Sequence, residues 1–184
     1  MHHLAVYAGS FDPITLGHID VLERSRSIFD EVILAIGINI DKPPLFTIEE
    51  RREFAQILVE RLLKKNPKGA KIRVESYNGL TTDFARKQSA SAIIRGIRNV
   101  TDLASECQLA ITNRQVAEIE TVFILTGESF AYVSSSLIKQ IAAFGGDLQR
   151  LSALVPPEVI AALESKRRDP NDPLSRLAKE SAPD

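Results

Sequence analysis

Apolar runs of strand length alternate with segments of helical pattern along this chain, and this alternation constrains the fold more than any other feature. Most of the runs are continuous rather than interrupted at every second position, which is typical of strands covered on both faces. We predict strands at residues 4–8, 32–36, 71–76, 92–94 and 121–125, with a helix after each. The pattern predicts an α/β fold with a single-domain doubly wound parallel sheet, in which ligands bind beyond the carboxyl ends of the strands.

Length, charge and cysteine content limit the classes of protein that fit. The chain has 184 residues, and we predict one folded domain over 1–165 and a charged, mobile tail over 166–184. Lys and Arg number 23 against 24 Asp and Glu, so the net charge of −1 gives no general attraction to nucleic acid or anionic membrane. The single Cys107 excludes an intramolecular disulfide. No apolar run approaches the roughly 20 residues of a membrane helix, and we expect a cytoplasmic protein.

The loop between the first strand and the first helix has the composition of an anion site. It carries Gly9, the hydroxyls of Ser10 and Thr15, and the Gly17-His18 pair at which the helical pattern begins. Such a loop brings free backbone N–H groups and the positive end of a helix dipole to one point, which suits a phosphate. Thr15 and His18 are three residues apart, so both side chains can face one ligand. We expect the His18 imidazole, neutral or charged, to contact a phosphate oxygen.

Other candidate residues follow the other predicted strands. Arg95 and Arg98 leave a buried strand, where a guanidinium needs a partner and its fork matches a phosphate. Lys42 lies in a Pro-rich loop after the second strand, either as a phosphate contact or as solvated surface. Glu106 is either a ligand or part of a solvated helix face, and the serines at 134–136 cap a helix, bind phosphate, or do both. The two common phosphate loops, G-x-G-x-x-G and G-x-x-x-x-G-K-[ST], are absent from the sequence.

Six motifs in a fixed order are more specific than any one of these residues. They are Gly9-Ser10-Phe11-Asp12-Pro13 with Thr15-x-Gly17-His18, Lys42 before Pro44-x-Phe46-Thr47, Gly79-Leu80 with Asp83-Phe84, Arg95-Gly96-Ile97-Arg98, Asp102 with Glu106, and Val133-Ser134-Ser135-Ser136. Together they resemble the bacterial phosphopantetheine adenylyltransferases, a family of the nucleotidyltransferase superfamily, from about residue 4 to about residue 164.

The resemblance implies a Rossmann-like nucleotidyltransferase fold and the penultimate step of coenzyme A biosynthesis. In that step ATP and 4′-phosphopantetheine give dephospho-coenzyme A and pyrophosphate, with Mg²⁺. The family is typically a homohexamer with feedback by coenzyme A.

Residue roles implied by the resemblance are carried over position by position. His18 is the catalytic residue, binding ATP and stabilising the transition state. The remaining ATP-binding residues are Ser10, Phe11, Gly96, Ile97, Arg98, Glu106, Phe130, Ala131, Tyr132, Val133, Ser134, Ser135 and Ser136. The phosphopantetheine-binding residues are Ser10, Lys42, Thr81 and Arg95, whereas the magnesium ligands stay unassigned.

The chain departs from the family pattern at a few positions. The family often has aromatic residues where this chain has Leu103-Ala104-Ser105, an apolar residue at the place of Thr81, and Trp at the place of Phe130. These differences concern contacts to the pantetheine arm and to adenine rather than the reaction.

Two other functions stay open at this point. Nicotinamide or nicotinate mononucleotide adenylyltransferases and cytidylyltransferases share the signature at 9–18, although we do not expect them to carry the set Lys42, Arg95 to Arg98 and Glu106. A non-catalytic ATP-binding module would need phosphate contacts but not His18.

The chemistry of the implied reaction agrees with the residues. The attacking group is a substrate phosphate whose second pKa is about 6, so it is anionic at pH 7 and needs no general base. Bringing two anionic partners together and stabilising charge on the α-phosphate are tasks for Lys42, Arg95, Arg98, His18, helix N-termini and magnesium.

Overall fold

Five parallel strands form the centre of the molecule. The computed structural model describes residues 2–38 and 43–175. The strands are β1 (Leu4–Gly9), β2 (Glu31–Ile36), β3 (Lys71–Ser76), β4 (Ala92–Ile97) and β5 (Glu120–Leu125). They lie in the order β3-β2-β1-β4-β5, and every pairing is parallel. Since the order reverses between β1 and β4, the predicted doubly wound α/β sheet is confirmed, with its switch point beside β1.

Helices cover both faces of this sheet. They are α1 (Leu16–Ser25), α2 (Ile48–Lys65), α3 (Thr81–Lys87), α4 (Val100–Ala117), α5 (Ser135–Ala143) and α6 (Pro157–Arg168). Single turns of 3₁₀ helix lie at Glu128–Phe130 and Leu148–Leu151.

Alternate residues of β1 point into two separate core layers. Ala5 and Tyr7 pack with apolar side chains of α1, α2, α5 and α6. Leu4, Val6 and Ala8 face the other layer, which contains residues of α3 and α4. Both faces of β1 are therefore buried, which explains why its sequence is a continuous apolar run.

Hydroxyl and amide side chains fix where three helices begin. The sequence Thr47-Ile48-Glu49-Glu50 predicts a capping box at the start of α2. It is present, because Thr47 Oγ1 accepts from Glu50 N–H and Glu50 Oε2 accepts from Thr47 N–H at 2.7 Å. Ser134 caps α5, and Asn99 caps α4 by accepting from Asp102 N–H at 2.9 Å. The sequence pattern predicts that this helix begins at about Asp102, whereas the cap by Asn99 makes α4 begin at Val100.

Two boundaries differ from the sequence prediction in ways that affect the site. β4 continues from the predicted 92–94 to Ile97, because Arg95 and Gly96 pair with Phe123 and Ile124 of β5. Arg95 is thus part of a strand rather than of a loop. α3 begins at Thr81, but neither Thr81 nor Thr82 caps it; the Thr81 hydroxyl lies 2.7 Å from the Tyr77 hydroxyl instead.

The chain continues in ordered structure beyond the predicted domain boundary at 165. α6 reaches Arg168, and Leu174 packs into the main core layer with 1% of its surface exposed. The Ser175 hydroxyl donates to the backbone oxygens of Lys166 and Arg167 at 3.0 and 2.8 Å. Residues 176–184 of the predicted tail lie outside the described residues, so the mobility of the tail stays a prediction for that part.

Within the described part of the chain, none of the helices has the combination of length and apolar character needed to cross a membrane.

Candidate active site

An open cavity of about 350 Å³ lies at the carboxyl ends of β1 and β4, which is the switch point of the sheet. Its wall includes residues from the loop after β1, from β4, from α4 and from the start of α5. The predicted site residues that line it are Ser10, Phe11, His18, Arg95, Gly96, Arg98, Glu106, Phe130, Val133, Ser134, Ser135 and Ser136. The structure therefore brings together groups that are up to 126 positions apart in the sequence, from Ser10 to Ser136.

The His18 imidazole is fixed by the threonine that caps α1. Thr15 Oγ1 accepts a hydrogen bond from His18 N–H at 3.3 Å, and His18 Nδ1 accepts one from Thr15 N–H at 3.0 Å. Thr15 is buried and orients the histidine through these bonds, and both residues line the cavity, so a shared ligand stays a prediction. Since Nδ1 is an acceptor, the neutral ring carries its proton on Nε2, which is the donor left for a substrate oxygen.

Burial and two arginines determine the charge state of this histidine. Desolvation, with the nearby Arg98 and Arg95, lowers the pKa of His18 to about 4. The ring is therefore neutral at pH 7, and the two forms considered from sequence are not equally populated. A neutral imidazole can donate a hydrogen bond without adding a proton to the attacking phosphate.

Phe11 supports the histidine from the side. The two rings meet edge to face, with centroids 5.1 Å apart and an interplanar angle of 84°. Phe11 is buried and has a φ of 46°, in the left-handed region that bulky residues rarely occupy. Such conformations cost about 1–3 kcal/mol and are found where surrounding structure requires them, often at functional sites.

Two arginine–carboxylate pairs cross the opening between β4 and α4. Arg95 Nε and Nη2 each lie 2.6 Å from an oxygen of Glu106, and Arg95 Nη1 donates to Ala8 O at 2.9 Å. Arg98 binds both oxygens of Asp102 at 2.8 and 3.0 Å. Hydrogen bonds from Arg98 lower the pKa of Asp102, so this carboxylate is ionised at neutral pH. Both guanidinium groups are held in place, and their charges are balanced by partners.

The start of α5 forms the opposite wall and is fixed by two serines. Ser134 Oγ accepts from Leu137 N–H at 3.1 Å, and Ser135 Oγ donates to Pro13 O at 2.8 Å. Arg98, the residue directly after β4, also donates from Nη1 to Val133 O at 2.7 Å. This bond connects the end of β4 to the residue before the Ser134 cap. Ser134 thus caps the helix, Ser135 connects it to the loop after β1, and the N-terminal end of α5 lies at the cavity.

A tight contact joins the turn around Phe130 to the start of α1. A Cβ added at Gly17 would lie 3.1 Å from Phe130 Cβ, so a larger residue would require the two segments to move apart by a few tenths of an ångström. Asp20 Oδ2 accepts from Gly127 N–H at 2.7 Å and from Arg24 Nε at 3.0 Å. The segment at 128–130 is therefore anchored to α1, next to His18.

Comparisons with known proteins agree with this site. A family model described as cytidylyltransferase-like matches residues 6–141. The phosphopantetheine adenylyltransferase of Heliobacterium modesticaldum is 47% identical over 167 residues, which are 90% of this chain and 94% of the relative. That of Rhodopirellula baltica is 44% identical over 171 residues, 92% of each chain. This chain belongs to the phosphopantetheine adenylyltransferase family.

Solved structures at lower identity share the fold. The nicotinic acid mononucleotide adenylyltransferase of Plasmodium falciparum, complexed with NaAD, has a TM-score of 0.66 at 16% identity, covering 91% of this chain and 97% of its own. A bifunctional NMN adenylyltransferase/ADP ribose pyrophosphatase from Francisella tularensis gives 0.65 at 17% identity, covering 98% of this chain and 53% of its own. The nucleotidyltransferase architecture expected from the sequence is confirmed.

Some residues that the phosphopantetheine adenylyltransferase resemblance implied do not line the cavity. Ile97 is buried with 2% of its surface exposed, whereas Tyr132 is largely exposed. Ala131 and Thr81 also lie outside the wall of this cavity. Lys42 lies outside the described residues.

Besides Ala8, Gly9, Thr15 and Gly17, three residues of the wall were not among the predicted site residues. They are Asp102, Tyr7 and Thr126. The sequence does contain a signal for Asp102, because it lies four residues after Arg98 and this spacing allows an ion pair at the start of a helix. Tyr7 reads as core in the sequence, and burial raises the pKa of its phenol, so it is neutral. Thr126 follows β5 and carries no sequence signal beyond that position.

Among the residues that the structure describes, no group of three or more His, Cys, Asp or Glu side chains is arranged to hold a metal ion. Asp102 and Glu106 are each occupied by an arginine. The donors that fit a magnesium ion here are therefore hydroxyl oxygens and the oxygens of a bound nucleotide, which suits a hard cation that keeps part of its water.

Proposed function

We propose that this phosphopantetheine adenylyltransferase works by direct in-line attack of the 4′-phosphopantetheine phosphate on the α-phosphate of ATP, without a covalent enzyme intermediate. The products are dephospho-coenzyme A and pyrophosphate, in coenzyme A biosynthesis. The family membership gives the reaction, and the proposal concerns how these residues carry it out.

One observation carries the proposal: a neutral histidine, fixed by Thr15, faces a cavity at the switch point. Its Nε2–H can donate to the α-phosphate as negative charge develops there. The attacking phosphate is already anionic at pH 7, because its second pKa is about 6, and so no base is required. Removing a single donor of this kind typically costs about 100- to 1,000-fold in kcat.

The remaining groups bind and orient the two substrates. We assign ATP to Ser10, Phe11, Gly96, Ile97, Arg98, Glu106 and the segment 130–136, and phosphopantetheine to Ser10, Lys42, Thr81 and Arg95. Support comes from the shared cavity wall for most of these residues. The roles of Ile97, Ala131, Tyr132, Thr81 and Lys42 rest on the resemblance.

Arg95 and Arg98 have carboxylate partners, so the described wall carries little excess positive charge. We propose that Mg²⁺ accompanies ATP and that the hydroxyls of Ser10 and Ser136, both in the cavity wall, would help to hold the phosphates that bind the ion. When bound, the ion neutralises charge on the triphosphate and on the leaving pyrophosphate.

Assembly of the chain with copies of itself is supported by α4. On this helix only Asn113 and Ala117 are buried, while Val100, Leu103, Leu109, Ile111 and Val116 are exposed. An exposed apolar set on one helix is typical of an interaction surface. We propose a homo-oligomer, a hexamer as in the family. Feedback by coenzyme A and a cytoplasmic location stay predictions.

Pyrophosphate release tests the proposal. The protein is incubated with ATP and Mg²⁺ and either 4′-phosphopantetheine or nicotinamide mononucleotide. We expect release with phosphopantetheine alone. Release with the mononucleotide alone would retain the His18 chemistry and overturn the assignments of Lys42, Thr81 and Arg95. ATP binding with release from neither would favour a non-catalytic ATP-binding module.

A further inference from the structure

Asp12 is a buried carboxylate that follows Ser10 and Phe11 and has no role in the chemistry proposed above. Only 5% of its surface is exposed. Its Oδ1 accepts from Phe46 N–H at 2.9 Å, while its Oδ2 accepts from Leu45 N–H and from the Lys139 ammonium, each at 2.9 Å. These donors come from the segment before α2 and from α5, so one side chain connects three parts of the chain.

Arg51 of α2 secures the same loop from another direction. Its guanidinium is 2% exposed, and Nη1 donates to Ser10 O at 2.8 Å and to Gly37 O at 3.1 Å. Ser10 is therefore held through its backbone oxygen and through its neighbour Asp12. A buried charge with all of its partners in place resists displacement, because any movement leaves it unpaired.

The buried charged residues Asp12, Arg51 and Lys139 lie next to the 350 Å³ cavity, and none of the three is part of its wall. A smaller cavity of about 80 Å³ is lined by Asp12, Arg51 and Lys139 together with Ser10, Ser135 and Ser136. The three serines belong to both cavities. Lys139 lies one turn after Ser135 on α5, with 24% of its side chain exposed, and its ammonium is directed to Asp12.

We infer that Asp12 and Lys139 are positioning residues that hold Ser10 in register with the start of α5. Both elements have to meet the same phosphate chain, and a displacement of about 1 Å can cost about 100-fold in rate. The inference rests on the proposed function, since it concerns the geometry of that reaction.

Lys139 is the better residue to change first, because it is partly exposed and Asp12 keeps the N–H donors of Leu45 and Phe46 when the ammonium is removed. Lys139→Met removes the charge and keeps most of the apolar stem, whereas Lys139→Arg keeps the ion pair. Arg26→Met is a control for the loss of a buried cation. Arg26 is 3% exposed and donates to the backbone oxygens of Ala70 and Asn66. These two residues precede β3, at the end of the sheet away from the cavity.

We expect Lys139→Met to lower kcat at saturating ATP and phosphopantetheine by about 10- to 100-fold, with a change in either KM of less than about threefold. Lys139→Arg should restore most of the rate. Arg26→Met should lower the Tm at least as much and change kcat by less than about twofold. A normal kcat for Lys139→Met would overturn the inference, as would a loss confined to the KM for ATP, which would indicate direct contact with the nucleotide.

The double variant Asp12→Asn/Lys139→Met shows whether the two residues act through one contact. We expect it to be hardly slower than the more impaired single variant, because groups in contact are not additive. Multiplied losses would contradict a shared role.

Hydrogen exchange gives a readout that needs no turnover. In Asp12→Asn, the amides of Leu45 and Phe46 should exchange faster than in the unsubstituted protein, and unchanged protection would count against the inference. If the unsubstituted protein releases no pyrophosphate, the proposed function fails, while the exchange result still decides whether Asp12 organises these segments.

Discussion

At the scale of single residues, the account depends on a histidine that is kept neutral. Thr15 fixes Nδ1 as an acceptor, and burial with Arg98 and Arg95 lowers the pKa of His18 to about 4. The sequence predicted that this histidine faces a phosphate, because it begins a helix after a glycine-containing loop. Its charge state could not be predicted, since it depends on Arg95 and Arg98, which are far away in sequence.

Removing the His18 side chain should affect the rate more than the binding of ATP. We expect His18→Ala to lower kcat by at least about 100-fold, as for the loss of one transition-state donor. ATP affinity should fall much less. Steady-state kinetics and ATP titration check this, and a variant with near-normal kcat would remove His18 from the mechanism.

The depressed pKa of His18 also makes a prediction for stability. The unfolded chain binds a proton on this histidine below its ordinary pKa of 6.5, whereas the folded chain does so only near 4. Stability contributed by the neutral ring is therefore present above pH 6.5 and is lost as the pH falls toward 4.

His18→Gln should lack this loss. Urea unfolding at pH 7 and pH 4.5 should show a smaller decrease in the free energy of unfolding for the variant than for the unsubstituted protein. Equal decreases would mean that the pKa of His18 is not lowered in the folded protein.

A further prediction for a single residue concerns Lys42, which lies outside the described residues. Its place after the second strand predicts a phosphate contact, and the family resemblance implies that the phosphate is that of phosphopantetheine. Lys42→Ala should raise the KM for phosphopantetheine with a smaller effect on the KM for ATP. Unchanged turnover and affinity would make it a solvated surface residue.

At the scale of elements, the site depends on where strands and helices end. The rule that ligands bind at the carboxyl ends of parallel strands correctly grouped Ser10, His18 and Arg98. The sequence placed Arg95 in a loop because the apolar run ends at Ile94, whereas pairing with β5 extends the strand to Ile97. The length of β4 is set by its hydrogen bonds to β5. A local sequence pattern contains no information about this neighbouring strand.

The ion pair between Arg98, directly after β4, and Asp102 in the first turn of α4 should strengthen the binding of ATP. Asp102→Asn keeps the size of the side chain but removes the charge that orients Arg98, and we expect the KM for ATP to rise about tenfold, or about 1.4 kcal/mol. Glu164→Gln is a suitable control, because Glu164 forms an i,i+4 pair with Arg168 on α6, outside the cavity. Equal effects of the two substitutions would contradict a specific role of Asp102.

At the scale of the whole molecule, the proposed mechanism needs no enzyme nucleophile because one substrate supplies the attacking oxygen. The doubly wound parallel sheet and a site at the carboxyl ends of its strands followed from the alternation of strands and helices, whereas the strand order β3-β2-β1-β4-β5 did not. The exposure of the apolar side chains of α4 did not, since the sequence predicted only that a helix follows the fourth strand. They become informative only when the fold shows that almost no residue of this helix reaches the core.

The most direct test of the central claim is the stereochemical course at the α-phosphorus. The protein converts phosphopantetheine with ATP that carries a sulfur of defined configuration on the α-phosphate, and the configuration of the product is determined. A single in-line displacement by the substrate phosphate predicts inversion. Retention would contradict the account, because it requires two displacements and hence an adenylylated enzyme group, for which the His18 imidazole would be the first candidate.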